Sequence, residues 1–250
     1  MDTLSILPEG CISEILSFTS ALDASRSSIV SKEFKSAAEN DDVWEKFLPP
    51  DYEEIISTSV SPVKYATKKD LYIRLCGSPL LINGGKMSFS LDKSNGKKCF
   101  MVGSRELLIS WKGCWDFMSN TKSRFSEVAK LRSIGWIHIQ GKIKTQMLSK
   151  YTTYAAYLVF WLDRMDGLKS SKTLVRFLND RSKNNTSNEH FETGKIAKMR
   201  GDGWVEIEIG KLYNGYVDDG AGEVEAWLTE VNSPHAKSGL IVEGIEFRPL

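Results

Sequence analysis

The chain has 250 residues and 41% hydrophobic content, enough for a sizeable core, while Lys+Arg 33 against Asp+Glu 32 leave a net charge of +1. So even a balance supplies no overall field toward nucleic acid or an anionic membrane surface, and neither is expected as a partner. The opening MDTLSILPEG has an acid at Asp2 and no basic or long apolar stretch, which argues against a secretory signal and for a cytoplasmic or nuclear protein.

The longest apolar run, residues 154–162, is well short of the roughly 20 residues a membrane-crossing helix needs, so no such segment is expected. Cys11, Cys76, Cys99 and Cys114 are widely spaced without a CxxC pair and read as free thiols. Asn184 and Asn185 each begin an N-x-S/T sequon, expected to stay unmodified without a secretory route.

Leu7-Pro8 opens a helical pattern in which Ile12, Ile15, Leu16 and Thr19 recur at helical spacing, and Pro8 suits a first turn. Asp23 is placed to cap a second helix, whose less polar stripe runs Ala24, Ser27, Val30, Phe34, Ala37 and Ala38. A third, short helix follows Asp41, carries Trp44, Phe47 and Leu48 on one side and stops at Pro49-Pro50. Three short helices bury little surface, so such a module leans on a partner or a neighbouring domain, and its exposed apolar positions become an interface. Residues 51–84 read as a structured joint, with Thr67 capping a short helix that carries Leu71 and Leu75.

The β-region begins at 80–82, where the Asn83-Gly84-Gly85 turn leads to Met87, Phe89 and Leu91 alternating with polar neighbours. Further strands read at 99–102, 107–111, 136–143, 154–162, 174–178, 204–209, 224–231 and 240–247. A brief helical candidate covers 125–131, and 180–198 is polar and aperiodic, a surface loop. Many short strands between Gly, Asn and Asp turns indicate an antiparallel sandwich of jelly-roll type, and the whole chain is of the α + β class.

In the stretch LLISWKGCWDF, Leu107, Ile109 and Trp111 share one strand face, which places Trp111 in the core; Trp115, beyond the Gly113 turn, has the better claim to exposure. Glu230 shares parity with Val224, Ala226 and Leu228. A carboxylate on an apolar face needs a partner or a ligand, unless the strand ends near Thr229 and Glu230 reaches solvent, as carboxylates commonly do. An acid beside aromatic surface is also how proteins grip sugars, the ring stacking on tryptophan while hydroxyls and amides donate to the carboxylate. His138, His190 and His235 are scattered without a nucleophile or an orienting acid, so no catalytic residues, metal or cofactor are expected. His138 should sit opposite Ile137 and Ile139 as a structural histidine.

Residues 7–49 carry a specific likeness: Leu7-Pro8, Ile15-Leu16, Asp23, Arg26, Val30-Ser31-Lys32 with Phe34, and Val43-Trp44 resemble, in order and spacing, a plant F-box. The resemblance implies docking on the Skp adaptor of a cullin-RING ubiquitin ligase through Leu7, Pro8, Ile12, Ile15, Leu16, Arg26, Val30, Phe34 and Trp44. The blocks RELLISW, EVAKLRSIGWIHIQGKI, TYAAYLVF, DGWVEIEIG, GEVEAWLTEV and SGLIVEGIEFRPL resemble the phloem-protein-2 (Nictaba-like) lectins over nearly all of 97–250. This second resemblance implies a β-sandwich that binds N-acetylglucosamine oligomers or N-glycan cores, with Trp111, Trp115, Glu223 and Glu230 at the sugar.

Between Trp111 and Trp115 the loop is shorter than in those lectins, Phe117 replaces a tryptophan, and Ala236 stands where they carry an aromatic residue. The expected division is an F-box at 1–50, a connector at 51–84 and the lectin-type sandwich at 85–250. The expected activity is recruitment of a glycoprotein client to the ligase; the alternative is a sandwich that has lost sugar binding and reads a protein.

Overall fold

The computed structural model describes residues 7–162, 168, 171–178, 193, 195–215, 222–231 and 236–250. Helix α1 (Glu9–Ser17) follows Pro8, places Glu9 in its first turn and buries Ile12 and Leu16 one turn apart. The next cap is Ser20 rather than Asp23: the Ser20 hydroxyl accepts from the Asp23 N–H at 3.0 Å and donates to the Asp23 carboxylate at 2.8 Å, a reciprocal cap at the start of α2 (Ala21–Ser27).

The single second helix expected from the stripe is two helices. Ser27 and Ser28 turn their hydroxyls onto the carbonyls of Asp23 and Ser25, and Ser31 caps α3 (Lys32–Glu39) by accepting from the Phe34 N–H. Short hydroxylic side chains competing for backbone groups favour such a break. Asn40 then caps α4 (Asp41–Phe47).

In the connector, α5 (Tyr52–Ser57) precedes α6 (Lys68–Gly77), whose cap Thr67 accepts from the Asp70 N–H. Helix α6 buries Leu71, Tyr72 and Leu75, and the Tyr72 ring lies 5.5 Å from Trp44 and 6.3 Å from Phe47. Helix α6 packs in turn on the second strand of the sheet that follows.

The strands are β1 (Leu80–Ile82), β2 (Met87–Leu91), β3 (Lys98–Gly103), β4 (Leu108–Ile109), β5 (Trp115–Met118), β6 (Val128–Leu131), β7 (Ile137–Lys144), β8 (Thr152–Leu162), β9 (Lys172–Phe177), β10 (Lys198–Met199), β11 (Val205–Asn214), β12 (Glu223–Glu230) and β13 (Leu240–Pro249). A nine-stranded sheet runs β1-β2-β3-β13-β8-β11-β10, with the β5-β6 pair attached through β13, and faces a four-stranded sheet β4-β7-β12-β9. Every strand pairing among the described residues is antiparallel. The β1–β2 hairpin straddles residue 85, so the sheet begins ahead of the expected division.

Period-two alternation builds the core: Ile137, Ile139 and Ile143 with Val224, Ala226 and Leu228 from one sheet meet Leu158, Phe160, Ile245 and Phe247 from the other. At Gly141 a Cβ would lie 3.0 Å from Leu107 and 3.1 Å from Ile245, so the absent side chain lets the sheets approach. The helix expected over 125–131 is instead strand β6, because Ala129 and Leu131 pair with Phe117 and Trp115, and Ala129 also with Val242.

The outer face of the larger sheet carries a second, smaller cluster of Met101, Phe125, Val128, Val159 and Trp204. Beside it, Arg124, Arg200 and Arg248 interlock with Glu206, Glu243 and Glu246, the shortest link being Arg200 to Glu246 at 2.6 Å. Glu243 is 1% exposed.

Candidate functional site

The two tryptophans exchange the places that alternation assigns them. Leu107 and Ile109 are buried as expected, yet the strand ends at Ile109, and Trp111 adopts φ 52 and ψ 63, in the left-handed region. That rotation throws the indole outward, leaving it 63% exposed. Trp115 opens β5 opposite Leu131, is only 4% exposed, and donates its indole N–H to the Ser110 carbonyl at 3.0 Å. It supports the turn from behind and does not face solvent, which corrects its expected place as an exposed sugar contact.

The ring that accompanies Trp111 is Trp136, 42% exposed, with centroids 6.2 Å apart and planes at 78°. Together they make an open, roughly right-angled corner at the entry of β7. The Trp111 carbonyl accepts from the Cys114 N–H at 2.7 Å, and Ser110 donates to the His138 carbonyl at 2.9 Å, so the turn is fastened at both ends. Arg132 on the rim donates to the Gly113 carbonyl and lies 3.6 Å from the Asp116 carboxylate. Sequence reasoning counted Trp136 only as a strand residue; its position directly after Gly135, at a strand entry, was the available signal.

Glu230 lies at the same end of the sandwich, because β12 continues through it opposite Ile137, the neighbour of Trp136. It is 1% exposed, so the expectation that the strand stops at Thr229 and releases the side chain to water does not hold; nor is the carboxylate without a polar contact. Glu223 is at the other end of β12, seven residues away and thus about 23 Å along the strand, beyond reach of the tryptophan corner. The fold therefore gathers Trp111, Trp115 and Glu230 at one end and separates Glu223 from them.

His138 is half-buried on the outer face, opposite in parity to buried Ile137 and Ile139, with its ring 5.5 Å from Trp227. His190, His235, both sequons and most of the loop expected at 180–198 fall outside the described residues. Among the described residues, no group of three His, Cys, Asp or Glu side chains is placed to hold a metal ion.

On the helical module, Leu7, Pro8, Ile15, Arg26 and Val30 are exposed, while Ile12, Leu16 and Trp44 are at most 2% exposed and Phe34 is half-buried against the core. Ile12, Leu16 and Trp44 thus build the module's own core. Trp44 donates its indole N–H to the Ala38 carbonyl at 2.8 Å. Three apolar side chains that periodicity passed over stand in water: Phe18 at 83%, Leu22 at 52% and Ile29 at 88% exposure. Their signal was being apolar at positions outside the buried stripe.

Comparison with known proteins agrees with this two-part layout. The F-box domain model matches residues 4–46 and the phloem protein 2 model matches residues 97–249. Among Arabidopsis thaliana relatives, F-box protein At2g02240 is 42% identical, with 98% of this chain and 79% of that protein covered. F-box protein SKIP3 is 40% identical, covering 99% and 88%, and F-box protein PP2-B10 is 38% identical, covering 97% and 92%. The chain belongs to the phloem protein 2 family, with an F-box domain ahead of the family's sandwich.

Proposed function

We propose that this F-box protein is the client-recognition subunit of an SCF-type cullin-RING ubiquitin ligase, acting in the cytoplasm or nucleus by binding and not by catalysis. The observation that carries this reading is the row of apolar side chains left in water on a small helical module fused to a sandwich: Ile15, Phe18, Leu22, Ile29 and Val30 are all more than half exposed. Such exposure is costly for a free surface and is relieved when a partner covers it. The Skp adaptor is the partner that the F-box supplies, and the sandwich is left to hold the client.

At the sandwich, the reading is a glycan-binding corner in which Trp111 and Trp136 offer two walls to N-acetylglucosamine units, with Glu230 placed behind them. A left-handed conformation at a bulky, exposed residue supports it, since strain of this kind collects where a side chain must be presented. The protein-client alternative draws support from the burial of Trp115, which leaves Trp111 as the outward-facing member of the tryptophan pair that the lectin pattern places at the sugar.

The deciding experiment uses the full chain co-purified with the Skp adaptor, applied to an array of chito-oligosaccharides and N-glycans. Binding to N-acetylglucosamine oligomers or N-glycan cores, lost in Trp111→Ala, is expected. A preparation that melts cooperatively and binds neither class leaves the protein-client reading in place.

A further inference from the structure

At the opposite end of β7 from the tryptophan corner, the helical module and the sandwich enclose a cleft of about 930 Å³. Its walls come from both parts: residues 19–22 and 46–51 on the helical side, and residues 93–98, 145–146 and 148–150 with Asn214 and Gly215 on the sandwich side. Five of the lining residues are lysines, Lys46, Lys93, Lys97, Lys98 and Lys150, and one is an acid, Asp51. In a chain whose charges balance 33 to 32 overall, this is a strong local excess.

Lys98 is nearly buried, at 7% side-chain exposure, and is used structurally: its ammonium holds Asp51 Oδ2 at 2.7 Å and reaches the Gln146 carbonyl at 3.4 Å. The other four lysines are exposed and make no ion pair among the described residues. Ammonium groups gathered around a concave, low-dielectric surface focus positive potential into it. Asp51 Oδ1 adds a second feature: this atom is buried and has no hydrogen-bond partner among the described residues, whereas Oδ2 accepts from the Lys98 ammonium. A buried acceptor without a donor is costly and is relieved by a hydroxyl from outside.

We propose that this cleft binds a small phosphorylated polyol or sugar, its phosphoryl groups taken by Lys46, Lys93, Lys97 and Lys150 and a hydroxyl donated to Asp51 Oδ1. The size fits, since small-molecule sites span about 300–1,000 Å³. Lysine suits phosphate as a flexible point charge. A free small molecule is favoured over a phosphorylated client segment because the cleft lies between the two halves and is walled by both. Lys46 belongs to α4, while Lys93, Lys97 and Lys150 belong to sandwich turns, so an occupant ties the adaptor-docking helices to the client-holding domain. Occupancy would thereby set the orientation in which a client is presented.

The test is calorimetric titration of the full chain with sodium tripolyphosphate at constant ionic strength, with sodium sulfate as the ionic control, alongside thermal melting. Saturable binding and a concentration-dependent rise in Tm are expected, with little response to sulfate. Lys97→Ala combined with Lys150→Ala should weaken binding about tenfold or more while the unliganded Tm stays put, and Lys130→Ala, at the exposed position of otherwise buried β6, should change nothing.

A phosphoserine peptide and phosphatidylserine–phosphatidylcholine vesicles form two further arms. Peptide or vesicle binding without tripolyphosphate binding overturns the small-molecule assignment. So does absence of tripolyphosphate binding, or binding that the double variant leaves unaltered.

Discussion

Trp111 shows how one residue's backbone can overrule a pattern. A left-handed conformation costs a residue with a side chain roughly 1–2 kcal/mol, and here it turns an indole from the core direction into solvent beside Trp136. Trp111→Ala is therefore expected to leave stability within about 0.5 kcal/mol while abolishing sugar binding, whereas Trp115→Ala should cost about 3–5 kcal/mol. Melting curves and chito-oligosaccharide affinity measured on both variants check the assignment, and equal destabilisation by the two would refute it. The parity of Leu107 and Ile109 was readable from the sequence, but the rotation at Trp111 was not, because alternation has no term for a strand that stops two residues early. Glu243 supplies a second test at this scale. Burial pushes its carboxyl above the ordinary range against the opposing pull of Arg124, and its Oε2 has no hydrogen-bond partner among the described residues. The fold thus keeps a proton that the unfolded chain releases, so this group's contribution to stability falls as pH rises from about 4.3 through the raised folded value and is level above it. Glu243→Gln keeps an acceptor for the Ser123 hydroxyl and the Arg124 N–H, so it should melt higher than the parent near pH 7, the gap closing as pH drops toward about 4. Melting temperatures that run parallel across that range would count against the assignment.

Among elements, the helical module divides its apolar residues between two tasks. Ile12 and Leu16 on α1 face inward, whereas Ile15 on the same helix and Val30 in the α2–α3 turn face water. Ile15→Asp with Val30→Asp should hence remove co-purification with the Skp adaptor, with little change in Tm. Leu16→Ala should instead lower stability by about 2–5 kcal/mol and reduce adaptor binding only through unfolding. Pull-down and calorimetry on the same preparations distinguish the outcomes; retained adaptor binding by the double aspartate variant would move the docking surface elsewhere. These roles were half legible, since helical spacing located the stripe but gave Ile12 and Ile15 the same part. The break between α2 and α3 was hidden because Ala24, Ser27, Val30 and Phe34 keep step across it, while the serines that end one helix and cap the next look like ordinary polar positions. Long strands with clean alternation, β7 and β12 above all, were readable from side-chain parity alone. Short β5 and β6 were not, because their pairing with each other and with β13 is a tertiary fact.

At the scale of the whole molecule, the F-box helices and the sandwich share one core. Buried apolar contacts run from Ile12 and Trp44 through Leu71 and Leu75 to Phe89, Phe100 and Phe247. Helix α6 is the joint: it meets α4 through Tyr72 against Trp44 and meets the sheet through β2, with Tyr72 Oη so close to Gly96 that a Cβ there would lie 2.8 Å away. The ion pair of Asp51 with Lys98 crosses the same boundary. A fragment of residues 85–250 lacks both α6 and β1, which uncovers the β2 edge and the surface under Leu71 and Leu75, each 0% exposed in the intact chain. Burying a leucine fully is worth about 1.5–3 kcal/mol, so losing the two together removes about 3–6 kcal/mol. The 66–250 fragment, which keeps α6, is expected to melt cooperatively and well above 85–250, and the shorter piece should aggregate through its open strand edge. Scanning calorimetry and light scattering on the two fragments measure this directly. Equal melting temperatures would mean that α6 belongs to the helical module alone, and that the F-box can move relative to the sandwich without loss of stability.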